Sequence, residues 1–264
     1  MKSPMRIASL QPSITLTLHA LGRLDHLCGH TKYCVEALPE LASRNLPTLH
    51  DSWTADTTEI AATNPTRIIA SVPYRMESLA AILKASLPVL ALAPHNLADI
   101  LADIRLLSTL TNTQSEAEVL IAHFNRTLDE ARSRSTGLAR PTIYCEEWGK
   151  PLIHSQTWVA ELVAAAGGDF LGTPGSHTTA EAIAAADPDI LVFAWCGAGD
   201  RVPLARIIEQ RNWHHLRAAR EHRVFCIPDE YLNTPAPTLL EGLACLAACI
   251  HLAAFDRPRR LVQL

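Results

Sequence analysis

Four short segments hold most of the side chains that could bind a ligand, and each is predicted to be a loop that follows a β-strand: 72–75, 146–150, 195–201 and 229–233. Tyr74, Trp148, Trp195 and Tyr231 lie in them, although the chain has only 5 Trp, 4 Tyr and 5 Phe. Flat amphipathic rings offer contact area at little entropic cost, which suits a large, partly apolar ligand. The alternative is that these rings pack inside the domains. Because ligands of open α/β sheets bind at the carboxyl ends of strands, we expect the four segments to line one site.

Acidic, basic and thiol side chains in the same segments supply the polar chemistry. Glu146 and Glu147 are adjacent, so on an extended strand they point to opposite faces, which argues against a glycosidase pair. Either one could instead be a solvated charge at a strand end. The run Cys196–Arg201 has two glycines but lacks the ending of a P-loop and the third glycine of a dinucleotide-binding loop. It is predicted to bring its backbone close to a ligand.

Metal and nucleophile motifs are weak in this sequence. The 12 histidines include no His-Glu-x-x-His motif, so a zinc enzyme is not predicted. His50 and Cys196 are the candidates for ligating a metal ion, or the cobalt of a ligand, and a surface histidine and a structural thiol are the alternatives. No Gly-x-Ser-x-Gly motif exposes a serine nucleophile. A protein that is not an enzyme and requires no cofactor is therefore expected.

The elements that must position these residues alternate along the chain. Helical patterns separate short apolar runs, which are predicted strands: 6–10, 67–71, 89–92, 142–145, 190–194 and 224–227. This alternation is typical of an α/β fold with parallel sheets and covering helices. Pro12 and Ser13 after the first run predict a helix start with Ser13 as the capping residue.

One long helix is predicted over Thr113–Ser135 from its apolar stripe, which comprises Ala117, Leu120, Ile121, Phe124 and Leu128. No Gly/Ser-rich linker flanks it, so we expect two α/β lobes joined rigidly: an N-terminal lobe at 1–111, the connecting helix at 112–137 and a C-terminal lobe at 138–264. The cleft between the lobes is the expected ligand site.

Composition limits the partners and the location. The chain has 23 Lys+Arg against 27 Asp+Glu, a net charge of −4 and no long basic run, so no nucleic-acid partner is expected. Its apolar runs are far shorter than the ~20 residues of a spanning helix, so direct membrane insertion is not expected. No export signal is visible and the 7 cysteines follow no disulfide spacing. A cytoplasmic monomer is expected for the sequence as given, and a periplasmic one if the native N-terminus has been trimmed.

Several stretches resemble one family, in the family's order. Residues 6–15, Arg-Ile-Ala-Ser-Leu-Gln-Pro-Ser-Ile-Thr, resemble the opening strand and turn of the cobalamin and iron-siderophore binding proteins of ABC importers, which are class III periplasmic binding proteins. Residues 59–69 are similar to the family's unit of helix, Lys-Pro-Asp and strand, with Asn-Pro-Thr here. Residues 161–168 resemble its glycine-ended helix, and 184–192 its second strand entry through Asp-Pro-Asp. The likeness covers nearly the whole chain.

The resemblance implies two α/β lobes bridged by a long helix and a small-molecule ligand, namely cobalamin, another corrinoid or a similar large metal chelate. An ABC importer permease is the implied partner. With the polar neighbours added, the predicted ligand-binding residues are Gln11, Pro12, Tyr33, Trp53, Tyr74, Arg75, Glu146, Glu147, Trp148, Trp195, Cys196, Arg201, Glu230 and Tyr231. Two alternatives stay open: an intracellular enzyme or ligand-handling protein that uses the charged, thiol-containing segments (Glu146, Glu147, Lys150 and Cys196), and direct binding of a transition-metal ion by His and Cys.

Overall fold

The computed structural model describes residues 5–264, which form two compact units. The first unit contains the chain up to Pro94 together with Ala98–Ile121, and the second contains His95–Leu97 and Ala122–Leu264. The predicted boundaries at residues 111 and 138 stay predictions, and residues 1–4 of the predicted first lobe lie outside the described residues.

The first unit is built around a parallel sheet of five strands in the order β3-β2-β1-β4-β5. Its elements, in chain order, are β1 (Ile7–Ser9), α1 (Pro12–Ala20), β2 (Leu27–Thr31), α2 (Lys32–Ala37), β3 (Thr48–Leu49), α3 (Thr57–Ala62), β4 (Arg67–Ala70), α4 (Met76–Lys84), β5 (Val89–Ala91) and α5 (Leu97–Thr111). Strands buried on both faces read as continuous apolar runs, which is why β1 and β4 could be predicted. Their side chains form the core with Ile60 and Ile82 from the helices.

The long helix α6 (Gln114–Ser135) follows where it was predicted. Ala117, Ile121, Phe124 and Leu128 of the predicted stripe are buried, and Leu120 is half-buried. The helix ends before Gly137, whose φ of 80° lies in the left-handed region that favours glycine. No helix among residues 5–264 combines the length and hydropathy that crossing a membrane requires.

The second unit has a mixed sheet of seven strands in the order β12-β11-β10-β6-β7-β9, with β8 paired to β6. Its elements are β6 (Thr142–Gly149), β7 (Leu152–His154), α7 (Thr157–Ala165), β8 (Asp169–Phe170), β9 (His177–Thr178), α8 (Ala180–Ala186), β10 (Ile190–Phe193), α9 (Leu204–Gln210), α10 (Arg217–Arg220), β11 (Val224–Cys226), α11 (Asp229–Leu232), α12 (Leu239–Ile250) and β12 (Val262–Gln263). Strands β6, β8, β10 and β11 run parallel, β7 and β12 pair antiparallel with β6 and β11, and β9 pairs antiparallel with β7.

The prediction of an α/β fold with one long helix between two sheets in the chain is confirmed, with the difference that the second sheet is mixed and not wholly parallel, and three local predictions are wrong. Glu146–Gly149 is not a loop: it continues β6 and pairs with β7 as a hairpin. Part of 229–233 is the short helix α11. Ser13 does not cap α1, because the helix begins at Pro12, whose fixed φ suits the first helical position, and Gln11 takes the N-cap position without a side-chain hydrogen bond.

Candidate functional site

In the first unit, the segments that follow β1, β3 and β4 are tied together. Gln11 Nε2 donates a hydrogen bond to the carbonyl oxygen of Pro73 at 2.9 Å. The Ser52 N–H donates to the Leu10 carbonyl at 3.1 Å, and the Arg75 N–H donates to the Ser52 carbonyl at 3.4 Å. The carboxyl ends of these three strands therefore form one continuous surface, as the topology requires.

Aromatic and cationic side chains cover this surface. Trp53 is 49% exposed, and the guanidinium of Arg75 lies 5.9 Å from its ring centre. Tyr74 is half-buried against the core of the unit. Tyr33 is half-buried in the first turn of α2, directly after β2, with the Lys32 ammonium 4.8 Å from its ring centre. Pro12, half-buried at the start of α1, completes the predicted set in this unit.

His50 directly follows β3 and is exposed, but it already has a partner. Its Nδ1 lies 2.8 Å from Glu59 Oε2. The hydrogen bond to Glu59 and then the charge of Glu59 raise the pKa of His50, so the ring holds its proton over a wider pH range. A protonated imidazole cannot ligate a metal. Among residues 5–264 no cluster of three or more His, Cys, Asp and Glu side chains could hold a metal ion.

In the second unit, a buried ion pair fixes the indole of Trp195. Glu146 has no exposed surface and accepts four hydrogen bonds: two from Arg211 at 2.7 and 2.9 Å, one from Tyr144 Oη at 2.6 Å and one from Trp195 Nε1 at 2.8 Å. A buried carboxylate needs this saturation to offset its desolvation. Glu146 therefore does not offer its carboxylate to a ligand in this structure; it positions Trp195.

The hairpin of β6 and β7 packs closely on the same ring. A Cβ atom added to Gly149 would lie 2.5 Å from Cζ2 of Trp195, so only glycine fits there without displacing the indole. Next to it, Trp148 is 44% exposed, and its Nε1 donates to the Lys150 carbonyl at 2.8 Å. Since the one polar atom of Trp148 is satisfied within the hairpin, the exposed remainder of its ring is apolar.

Glu147 follows Glu146 at an irregularity in the pairing of β6 with β7, so the regular strand period does not hold at this residue. It is half-buried, and its Oε2 accepts a hydrogen bond from Gln156 Nε2 at 2.7 Å. Burial raises the pKa of Glu147 to about 7, against the smaller opposing effect of Gln156. Near neutral pH this carboxyl group can therefore act both as a donor and as an acceptor of hydrogen bonds.

The segment 195–201 is a turn that is held by one carboxylate. Asp229 accepts hydrogen bonds from the N–H groups of Gly197 at 2.9 Å and Gly199 at 2.8 Å. Both residues have positive φ, which explains why both positions are glycine. The neighbouring Cys196 and Arg201 are exposed. Loss of water around the thiol, and then the charges of Glu147 and Asp229, raise the pKa of Cys196, which disfavours the thiolate that metal binding requires.

The segment 229–233 is joined to the same turn by Arg260. The guanidinium pairs with Glu230 and with Asp200, the latter at 3.2 Å, and lies 5.2 Å from the ring centre of Tyr231. The Asn233 side chain donates to the Ala194 carbonyl at the end of β10. The three predicted segments of this unit therefore meet at the carboxyl ends of β6, β10 and β11.

The structure thus brings the predicted residues together within each unit. The group in the first unit is Gln11, Pro12, Tyr33, Trp53, Tyr74 and Arg75, and the group in the second is Glu147, Trp148, Trp195, Cys196, Arg201, Glu230 and Tyr231 with Glu146 beneath. That both groups line one cleft stays a prediction. Sequence reasoning missed Arg211 and Arg260, which no motif marks, and the role of Asp229, whose partners Gly197 and Gly199 are 32 and 30 residues away in sequence.

Comparison with known proteins identifies the family. The family model described as "Periplasmic binding protein" matches residues 7–231. The chain belongs to this family. The predicted resemblance to the binding proteins of ABC importers is thereby confirmed.

Three relatives illustrate what the chain is similar to. An ABC transporter substrate-binding lipoprotein, YvrC of Bacillus subtilis, is 21% identical over 95% of this chain and 81% of its own length. A protein of Halobacterium salinarum named "Cobalamin-binding protein" is 20% identical over 94% of this chain and 70% of its own. The solved structure of a periplasmic heme-binding protein from Pseudomonas aeruginosa superposes with a TM-score of 0.87 at 21% identity, covering 99% and 98% of the two chains. At this identity the structure shares the fold.

Proposed function

We propose that this protein is the ligand-capturing component of an ABC importer and that it binds cobalamin, heme or a similar large metal chelate. The observation that carries the proposal is the exposed Trp148 at the carboxyl end of β6, together with Trp195 after β10, whose indole the Glu146 carboxylate holds in place. Rigid aromatic surfaces are costly to keep exposed and are typical of binding sites for large, partly apolar molecules.

The polar groups suit the edges of such a ligand. Arg75 and Arg201 are exposed cations, one in each unit, and they could meet carboxylate or phosphate groups. Glu147, with its pKa near 7, could exchange hydrogen bonds with amides. Cobalamin carries amides and a phosphate, and heme carries two propionates, so both present the groups that this set would recognise.

Names among the relatives support the choice of ligand class. One is a cobalamin-binding protein and another is a heme-binding protein. The lipoprotein relative is named for ABC transport, which supports an importer permease as the partner. The ligand is cargo on this proposal, not a cofactor.

The candidate metal ligands His50 and Cys196 are not part of the proposal. The hydrogen bond and the charge of Glu59 raise the pKa of His50, and the pKa of Cys196 is raised as well, so both shifts disfavour the deprotonated forms that bind metals. We therefore expect neither side chain to replace a ligand of the bound metal centre. An unchanged visible spectrum of hydroxocobalamin on binding is the expected result.

The alternative of an enzyme is not favoured. The family match is to binding proteins, and Glu146, one of the carboxylates that this alternative invoked, is fully occupied inside the unit.

The cytoplasmic and periplasmic locations both stay predictions. An importer's binding component meets its ligand outside the cytoplasmic membrane, so the proposal favours the periplasmic one; fractionation of cells that carry the native gene would contradict it if the protein were confined to the cytosol.

Site variants test where the ligand binds. We expect Trp148→Ala to raise the Kd for hydroxocobalamin or hemin about tenfold, because a central aromatic contact contributes 1–2 kcal/mol or more at such sites. Trp53→Ala tests the first unit in the same way. Val119→Ala, at a 72%-exposed position on α6, is the control and should leave the Kd unchanged. Equal affinity for all three variants and the wild type would show that the ligand binds elsewhere.

A further inference from the structure

The last residues of the chain return to the sheet and are firmly anchored there. Strand β12 forms one edge of the sheet and pairs with β11 through Cys226 and Val262 and through Phe225 and Gln263. Leu261 is 4% exposed, and its carbonyl accepts a hydrogen bond from Arg257 at 3.3 Å. Arg260 therefore projects from a fixed backbone position.

From that position Arg260 contacts two separate segments of the candidate site. Its Nε donates to Asp200 Oδ2 at 3.2 Å, which ties it to the turn at 195–201. Its other contacts, an ion pair with Glu230 and the cation–π contact with Tyr231, tie it to 229–233. A planar guanidinium can make these three contacts at once because its donors and its face act in different directions.

The charges explain why a cation is needed. The two segments hold three carboxylates, those of Asp200, Asp229 and Glu230. Asp229 is neutralised in part by the N–H groups of Gly197 and Gly199. Glu230, whose side chain is 11% exposed, has its charge compensated by Arg260. Without Arg260, two like charges would remain on segments that must stay together.

We propose that Arg260 is a positioning residue for ligand binding: it holds 195–201 and 229–233 in one arrangement, so that Trp195, Cys196, Arg201 and Tyr231 are in place before the ligand arrives. This inference rests on the proposed function. Arg260 acts through the two segments and does not itself contact the ligand. Preorganisation of this kind strengthens binding because fewer groups lose conformational freedom when the ligand binds.

The experiment combines amide hydrogen exchange with ligand titration on the full chain. The variants are Arg260→Ala, Arg260→Lys and, as the matched control, Arg259→Ala, which changes the exposed neighbour. For Arg260→Ala we expect exchange of the peptides covering 195–201 and 229–233 to accelerate about tenfold while the peptide of β6 is unchanged. The Kd for hemin or hydroxocobalamin should rise about tenfold. Arg260→Lys should give intermediate exchange rates and an intermediate Kd, since an ammonium keeps the positive charge but lacks the planar set of donors of a guanidinium.

The outcomes separate the two proposals. If exchange in both segments and the Kd match the wild type, the inference is overturned. Accelerated exchange in β6 as well, with a fall in Tm, also overturns the inference, because Arg260 would then stabilise the whole unit. Asp200→Asn provides a second test, because it removes one partner of Arg260 and leaves Arg260 itself in place. If the wild type binds neither probe, the proposed function fails, and the exchange data alone decide whether Arg260 orders the segments.

Discussion

Replacing Arg211 by methionine tests the claim that a buried ion pair holds Trp195. Arg211 and Glu146 are 12% and 0% exposed, and two charge-assisted hydrogen bonds of 2.7 and 2.9 Å join them. Removing one partner of such a pair leaves an uncompensated charge, which costs about 3–5 kcal/mol. We therefore expect Arg211→Met to lower the free energy of unfolding by about 4 kcal/mol.

The assay is urea unfolding followed by circular dichroism. Arg140→Met is the matched control, because Arg140 pairs with Asp169 in the same unit while both side chains are about half exposed, at 49% and 56%. That exposed pair should contribute no more than about 1 kcal/mol. The double variant Glu146→Gln/Arg211→Met should recover part of the loss, since it removes the stranded charge.

A loss below about 1 kcal/mol for Arg211→Met, equal to that of Arg140→Met, would refute this account. Trp195 would then be held by packing against Phe193 and Gly149 and not by the carboxylate.

Three further predictions concern the second unit. Gly149→Ala places a Cβ 2.5 Å from Cζ2 of Trp195, so the indole must shift; we expect about tenfold weaker binding of hemin or hydroxocobalamin by calorimetry, and unchanged affinity would show that the indole's position is immaterial. Burial raises the pKa of Glu147 to about 7, so its contribution to stability is complete below the ordinary pKa and is lost as the pH rises through 7. Glu147→Gln should therefore be more stable than the wild type at pH 8, by on the order of 2 kcal/mol, and not at pH 4, in urea unfolding; an equal difference at both pH values contradicts the assignment. Cys196 is exposed but has a raised pKa, so its alkylation by iodoacetamide at pH 7, followed by mass spectrometry, should be slower than that of free cysteine; a faster reaction would mean a thiolate.

Local patterns in the sequence were enough to predict the central elements. The apolar runs at 6–10, 67–71 and 190–194 became β1, β4 and β10, and the stripe through Ala117 and Phe124 became α6. The hairpin was not predictable in the same way, because Trp148 and Gly149 carry no strand pattern and their pairing depends on β7. Strands β8, β9 and β12 have only two residues each, so their existence depends on neighbours that are distant in sequence.

The candidate site could also be predicted only in part. Position after a strand selected Trp195 and Tyr231 as candidates, because parallel strands end at a common edge, whereas Trp148 lies within β6 near its carboxyl end. Position in the sequence could not distinguish a side chain that is free to contact a ligand from a buried one that holds its neighbour in place. Glu146 was predicted to meet the ligand but is paired with Arg211, 65 residues away in sequence, and that pairing follows from the fold and from no local motif.

Calorimetric titration of the wild-type protein with hydroxocobalamin, hemin and a ferric siderophore decides whether the protein binds a large metal chelate. We predict saturable one-to-one binding of at least one of them with a Kd of about 1 μM or lower, equivalent to about 8 kcal/mol. No saturable heat for any of the three up to about 1 mM, where binding would contribute only about 4 kcal/mol, would contradict it.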